Sequence, residues 1–300
     1  MHLIPTKLNN RVLMTALVFA IAIALAPQLA VAQDIEEHKD IVYGTVDGVD
    51  FGLDVYVPTN VDNPPLVIQV HGGAWSGGSK DGGVPMQFVE NGYAVASLDF
   101  HSSNDAQFPA MVHDIKGAIR YLRDHAGDFG YNSEQFAITG ASSGAHLAAL
   151  VGVTNGHKEL EGTVGGHLDT SSDVQAIISY FGASDLTTIL SQSTPRGLGV
   201  REPALERLLG MLPEHNQALA ELASPVYHVD ADDPPLLLFH GDRDFQMPIN
   251  QSIQLEGAYE KLGLDVHFDP VHGAAHGGPL FFDEDHLPPA LEFLRRTVGN

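Results

Sequence analysis

No part of this chain limits its fold more than Phe136-Ala137-Ile138-Thr139-Gly140-Ala141-Ser142-Ser143-Gly144-Ala145-His146-Leu147-Ala148-Ala149-Leu150. Its first residues are apolar and partly β-branched, as in a buried strand, and its last are the Ala/Leu-rich run of a helix. Between them stands Gly-x-Ser-x-Gly, which turns a strand sharply into a helix. Only small neighbours tolerate such a turn, so Gly140 and Gly144 make room while the Ser142 hydroxyl projects from the top of a sheet.

The rest of the chain supplies that sheet. Ile41–Val46 and Phe51–Val57 are short alternating runs joined through Asp47-Gly48, the signature of an antiparallel hairpin. From Leu66–Val70 onward, strand-like runs alternate with helical ones: Tyr93–Leu98, the elbow strand, Val174–Tyr180, Leu236–His240 and Val266–Phe268. Such alternation predicts parallel crossover units, hence an α/β fold with a mostly parallel eight-stranded sheet, an N-terminal antiparallel hairpin and helices on both faces. Met111, Ile115, Ile119 and Leu122 recur at helical spacing and predict one buried stripe. The stretch from Leu186 to Leu212 is the least regular of the chain, though a helical run is expected around Ala204–Leu212. An insertion within residues 184–225 is expected, either as a small cap over the site or as a helical crossover with a long Ser191–Gly199 loop.

Residues 1–32 differ from everything after them. Lys7 and Arg11 precede the apolar run Val12–Ala26, and Ala30-Val31-Ala32 has the small residues of a processing site. The expectation is a cleaved secretory signal with no stable membrane anchor, a secreted or periplasmic product, and one domain over residues 33–300. The formal charge of −23 becomes −25 without Lys7 and Arg11 (13 basic against 38 acidic groups). That field argues against nucleic acid, anionic membranes and polyanionic substrates. With no cysteine, disulfides and thiolate chemistry are excluded.

A serine hydroxyl needs an imidazole to take its proton and a carboxylate to orient that imidazole. Two clusters past strand ends supply them: Asp242 and Asp244 in His240-Gly241-Asp242-Arg243-Asp244, and His272 and His276 in Val271–Gly278. The residues alone leave the choice within each cluster open. His272 and His276 stand four apart, but in a glycine-rich segment rather than on a helix, so no metal site is expected. Gly72 and Gly73, directly after the Leu66–Val70 strand, are placed to offer backbone N–H groups to an oxyanion, with the N–H of Ser143 beside them. His71 and Trp75 brace that loop.

From about Ile41 on, the chain resembles the α/β-hydrolase carboxylesterases that carry an HGGAW motif, relatives of the hormone-sensitive-lipase group and of bacterial feruloyl and acetylxylan esterases. The matching pieces are Leu53–Pro58, His71-Gly72-Gly73-Ala74-Trp75, Phe108–Lys116, Gly140–Leu150, Ser224-Pro225-Val226, His240–Pro248 and Gly273–Gly277. The resemblance implies Asp244 as the acid and His276 as the base. It further implies an ester hydrolase that works without a cofactor through an acyl-enzyme, on short acyl or carbohydrate-linked esters. A serine exopeptidase of the prolyl-oligopeptidase type and a non-catalytic hydrolase fold serving as a binding module are the competing expectations. Ser143 and Ala145 stand where many relatives carry Ala and Gly, and Phe245-Gln246-Met247 replaces a more usual Pro-Leu-Val type of run.

Overall fold

The computed structural model describes residues 35–299; the expected signal segment lies outside the described residues. Eight strands form one sheet: β1 (Ile35–Val46), β2 (Val49–Pro58), β3 (Leu66–Val70), β4 (Ala94–Leu98), β5 (Phe136–Ala141), β6 (Ala176–Tyr180), β7 (Leu236–Gly241) and β8 (Val266–Val271). Their order across the sheet is β1-β2-β4-β3-β5-β6-β7-β8. β1 and β2 are antiparallel, β2 is antiparallel to β4, and every later pair is parallel. The architecture is the mixed α/β sheet that the strand–helix alternation predicts.

The hairpin closes on Val46 opposite Val49, with both turn residues at positive φ (Asp47 50°, Gly48 83°), which suits the twist of the flanking strands. β1 begins at Ile35 rather than Ile41. Glu36-Glu37-His38-Lys39-Asp40 hides the alternation that marks a strand, and a register shift between His38 and Ile41 breaks it further. Charges and a bulge on the outermost strand also discourage pairing with another sheet.

Central strands β3, β5, β6 and β7 are buried along nearly their whole length because helices cover both faces. The six described helices of at least six residues are α1 (Ala110–Asp124), α2 (Ser143–Gly152), α3 (Pro195–Leu209), α4 (Gln217–Leu222), α5 (Asn250–Leu262) and α6 (Leu287–Thr297). Alternation along the strands sorts the core in two. Leu66, Ile68 and Val70 join the α1 and α2 side, while Val67, Val95, Ile178 and Phe239 join the α6 side. The α1 stripe of Met111, Ile115, Ile119 and Leu122 is fully buried, a gross gain of roughly 1.5–3 kcal/mol per side chain.

The 184–225 region is more helical than its composition suggests. Ser191–Gly199 reads as a loop, yet α3 already starts at Pro195. Thr194 caps it, its hydroxyl accepting from the Gly197 N–H at 3.0 Å, and Pro195 occupies the first turn, where its missing N–H costs nothing. Gly210 closes the helix at φ 77°. The turn residues were cap and first turn, a distinction that composition does not make.

Candidate active site

Parallel pairing brings three strand ends to one rim. β5 ends in the elbow, where Ser142 sits at φ 56° and ψ −121°, a backbone region costly for a residue with a Cβ. Hydrogen bonds hold the turn there: the Ser142 N–H donates to Tyr180 O at 2.9 Å, and the His146 N–H donates to Ser142 O at 3.1 Å. Gly140 and Gly144 are small because backbone crowds them. A Cβ on Gly140 would lie 2.5 Å from Gly144 C, and one on Gly144 would lie 2.2 Å from Val70 O.

The candidate base arrives from the loop after β8. His276 Nε2 is 2.8 Å from Ser142 Oγ, and its Nδ1 is 2.6 Å from Asp244 Oδ2. Nδ1 donating to the carboxylate leaves Nε2 to accept the serine proton. Phe181, also at positive φ (44°), sets its ring edge against the imidazole, with centroids 4.9 Å apart. The Asp244 side chain is wholly buried behind His276. Its Oδ1 accepts from the N–H groups of Gln246 and Met247, each at 2.8 Å. Burial alone would raise its pKa; hydrogen bonds from His240 and His276 outweigh that and hold the carboxyl well below the usual carboxylate range. His240 is itself buried and tied to Ser252 Oγ at 2.7 Å.

The rival residues of each cluster pair with one another. His272 Nδ1 lies 3.1 Å from Asp242 Oδ2, with the His272 side chain 86% exposed. Two Asp–His pairs therefore form past β7 and β8, and it is Asp244–His276 that reaches the serine. Among the described residues no cluster of three metal-ligating side chains occurs.

Across the cavity from His276, the loop after β3 brings Gly72 and Gly73 beside the elbow. A Cβ on Gly72 would meet Ala141 O at 2.7 Å, and Gly73 takes φ 136°. Among the described residues, the N–H groups of Gly72, Gly73 and Ser143 find no acceptor in the protein. The loop folds back on itself, Gly73 O accepting from the N–H groups of Ser76 and Gly77. His71 stacks on Phe100 with centroids 4.2 Å apart. Trp75, 2% exposed, donates from Nε1 to His146 Nδ1 at 3.0 Å, and His146 Nε2 in turn donates to Ala223 O at 2.7 Å. Burial keeps His146 neutral, its pKa pushed down to about 4. One imidazole thus ties the glycine loop, the helix of the elbow and the end of α4 together.

Ser142, His276, Gly72, Gly73 and Ala141 line a cavity of about 430 Å³ whose other walls are Ala74, Phe181, Val200, Arg201, Gln246 and Gly277. A second cavity of about 370 Å³, beyond Gly72 and Ala141, is lined by Val84, Pro85, Phe88, Tyr180 and Phe282 among others. Sequence reasoning missed Phe181, Val200 and Arg201. Arg201 leaves one trace in the sequence, as a cation on the Arg201, Ala204, Leu205 and Leu208 stripe of α3, whose other members are apolar.

A mostly parallel sheet with a strained serine at its central strand, an imidazole–carboxylate pair from later loops and a glycine turn beside the serine defines an α/β hydrolase. Within that class, residues 53–259 match the BD-FAE family model, and the chain belongs to that family. Esterase LipQ of Mycobacterium tuberculosis (strain ATCC 25618 / H37Rv) is 32% identical over 222 residues, 72% of this chain and 51% of LipQ. The chain spans about half the length of the curated relatives it matches. Among solved structures, a truncated form of a carbohydrate esterase from gut microbiota is similar at TM-score 0.79 and 31% identity, covering 87% of this chain and 95% of that one. Thermogutta terrifontis esterase 2 phosphorylated by paraoxon is similar at TM-score 0.66 and 25% identity, covering 87% and 92%.

Proposed function

We propose that this protein is a serine carboxylesterase that hydrolyses esters through an acyl-enzyme. The observation that carries the reading is the unbroken chain of hydrogen bonds from Asp244 through His276 to Ser142, at 2.6 and 2.8 Å. Ser142 Oγ adds to the ester carbonyl as its proton passes to His276 Nε2, and the imidazolium that forms is held by the buried Asp244 carboxylate. The tetrahedral oxyanion turns toward the N–H groups of Gly72, Gly73 and Ser143, each of which lacks a partner among the described residues. His276 returns the proton to the leaving alcohol, and water repeats the sequence in reverse to free the acid. Esterase relatives, one of them phosphorylated by paraoxon, support the esterase reading.

The substrate class proposed is a short acyl or carbohydrate-linked ester, supported by the likeness to a gut carbohydrate esterase. Export of the chain, with residues 1–32 removed, and a capping role for the 184–225 region belong to the same proposal. The test is direct. Ser142→Ala should abolish hydrolysis of short 4-nitrophenyl esters and of acetylated sugars, together with labelling by a fluorophosphonate. Full activity in that variant refutes the mechanism.

A further inference from the structure

The cavity over Ser142 contains a cation that the triad does not use. Arg201, on α3, lines it together with Val200 and Gln246. Its side chain is 1% exposed, yet its guanidinium is only partly engaged. Nε donates to Gln246 O at 3.3 Å, the plane lies 5.9 Å from the Trp75 ring, and Nη1 has no hydrogen-bond partner. The carboxylate whose charge acts on it, that of Asp244, is committed to Gln246 N, Met247 N and His276. Among the described residues, no other lysine, arginine, aspartate or glutamate lines this cavity.

A buried cation with a spare donor is costly unless something completes it, and removing it from water costs more than a neutral group would. A purely structural arginine would close its fork on carbonyls, as Arg123 does on Ser133 O, Ser171 O and Asp173 O. Arg201 instead keeps an unused buried donor on the wall of the cavity that holds Ser142. Guanidinium and carboxylate match as planar, two-pronged partners. We infer that Arg201 is a specificity-determining residue that receives a carboxylate carried by the ester substrate, so that the favoured substrates are singly anionic esters. The inference rests on the esterase reading and narrows it. It also reverses locally what the overall charge implies: a chain of net −23 repels polyanions at a distance, while one desolvated cation in the cavity selects a single carboxylate at contact.

The experiment compares matched esters on one protein sample. On the acyl side, 4-nitrophenyl hemisuccinate is set against 4-nitrophenyl butyrate; on the leaving-group side, 4-acetoxybenzoate is set against 4-acetoxybenzamide. For wild type, Arg201→Gln and Arg201→Lys, the readout is the ratio of kcat/KM for the anionic ester to that for its neutral partner. Partial misfolding cancels in such a ratio. The expected result is a fall of at least tenfold in Arg201→Gln in one of the two arms, chiefly through KM, with Arg201→Lys recovering part of it. The arm that responds tells whether the carboxylate sits on the acid or on the alcohol. A smaller fall in both arms, or no turnover of either anionic ester by the wild type, overturns the inference. Should Arg201→Gln not fold, Arg201→Lys decides: a fall of threefold or more in one arm supports the fork, and less overturns it. Loss of all four activities in the wild type would instead refute the esterase reading, whereas a flat ratio with Ser142 still labelled by a fluorophosphonate refutes the Arg201 assignment alone.

Discussion

Gly144→Ala adds one methyl group at the place where the elbow helix leans on the glycine loop. Its Cβ would stand 2.2 Å from Val70 O, 2.5 Å from His71 O and 2.7 Å from His71 C, where ordinary contact begins at 3.4 Å. The deficit is 1.2 Å (3.4 − 2.2), and all three neighbours are backbone, so no rotamer change relieves it. Helix α2 must therefore move off the end of β3 by about 1 Å, at an overpacking cost of about 1–3 kcal/mol. Ser142 and the Ser143 N–H ride on α2, whereas Gly72 and Gly73 ride on the loop after His71. The motion thus parts Ser142 from Gly72 and Gly73, two of its three proposed oxyanion donors. A misplacement of about 1 Å costs on the order of 10²-fold in rate, or about 2.7 kcal/mol in the barrier. The assay is kcat/KM for 4-nitrophenyl acetate beside urea unfolding, with Gly127→Ala as the control because nothing lies within 4 Å of its added Cβ. A folded Gly144→Ala protein within threefold of wild-type kcat/KM would refute the idea that this contact sets the geometry of the site.

Two further predictions concern the groups behind the serine. His146 titrates near 4 in the native protein against about 6.5 unfolded, so its contribution is complete above pH 6.5 and is lost as pH falls toward 4, about 3 kcal/mol in all. Urea midpoints measured across that range should fall steeply in the wild type and more gently in His146→Gln; equal slopes would contradict it. Asp244→Asn should reduce kcat by about 10⁴-fold, because an amide N–H facing His276 Nδ1 forces the ring proton onto Nε2, where it can no longer accept from Ser142. Asp242→Asn, which touches only the exposed His272 and its loop, should stay within twofold in the same assay, and a large loss there would make the two pairs equivalent.

What was legible in the sequence follows from what is local. The elbow at Ser142 could be read because a tight strand-to-helix turn imposes its own composition on five consecutive residues. Gly72 and Gly73 were legible for a similar reason, as a side-chain-free turn directly after an apolar run. The Asp242–Asp244 choice is of another kind. Both follow β7 and both find a histidine, and what separates them is that the chain after Asp244 folds back to donate Gln246 N and Met247 N to its carboxylate. A left-handed backbone at Phe181 and a buried cation at Arg201 are imposed by neighbours distant in sequence, so no run of residues announces them. The eight strands were visible through periodicity, but β1 lost its first residues to an edge rich in charge and α3 its N-terminal half to a Thr-Pro start that also suits a loop.

The division of labour in the fold follows from the sheet. Val70 and Gly140 are register partners at the ends of adjacent parallel strands, so the glycine loop and the elbow start from positions set by the strand ladder. His146 then locks Trp75 to the helix that carries Ser142. Reacting atoms are therefore placed by the most buried part of the molecule, where a substitution shifts everything. Val200 and Arg201, by contrast, enter the same cavity from α3, which lies in the long connection between β6 and β7 and is not part of any strand ladder. A change there alters what the cavity binds without moving Ser142 against Gly72. Relatives that share the triad can therefore diverge in substrate through α3 alone, and exchanging residues 195–209 between two of them should transfer the preference for charged or neutral esters while leaving fluorophosphonate labelling of the serine intact.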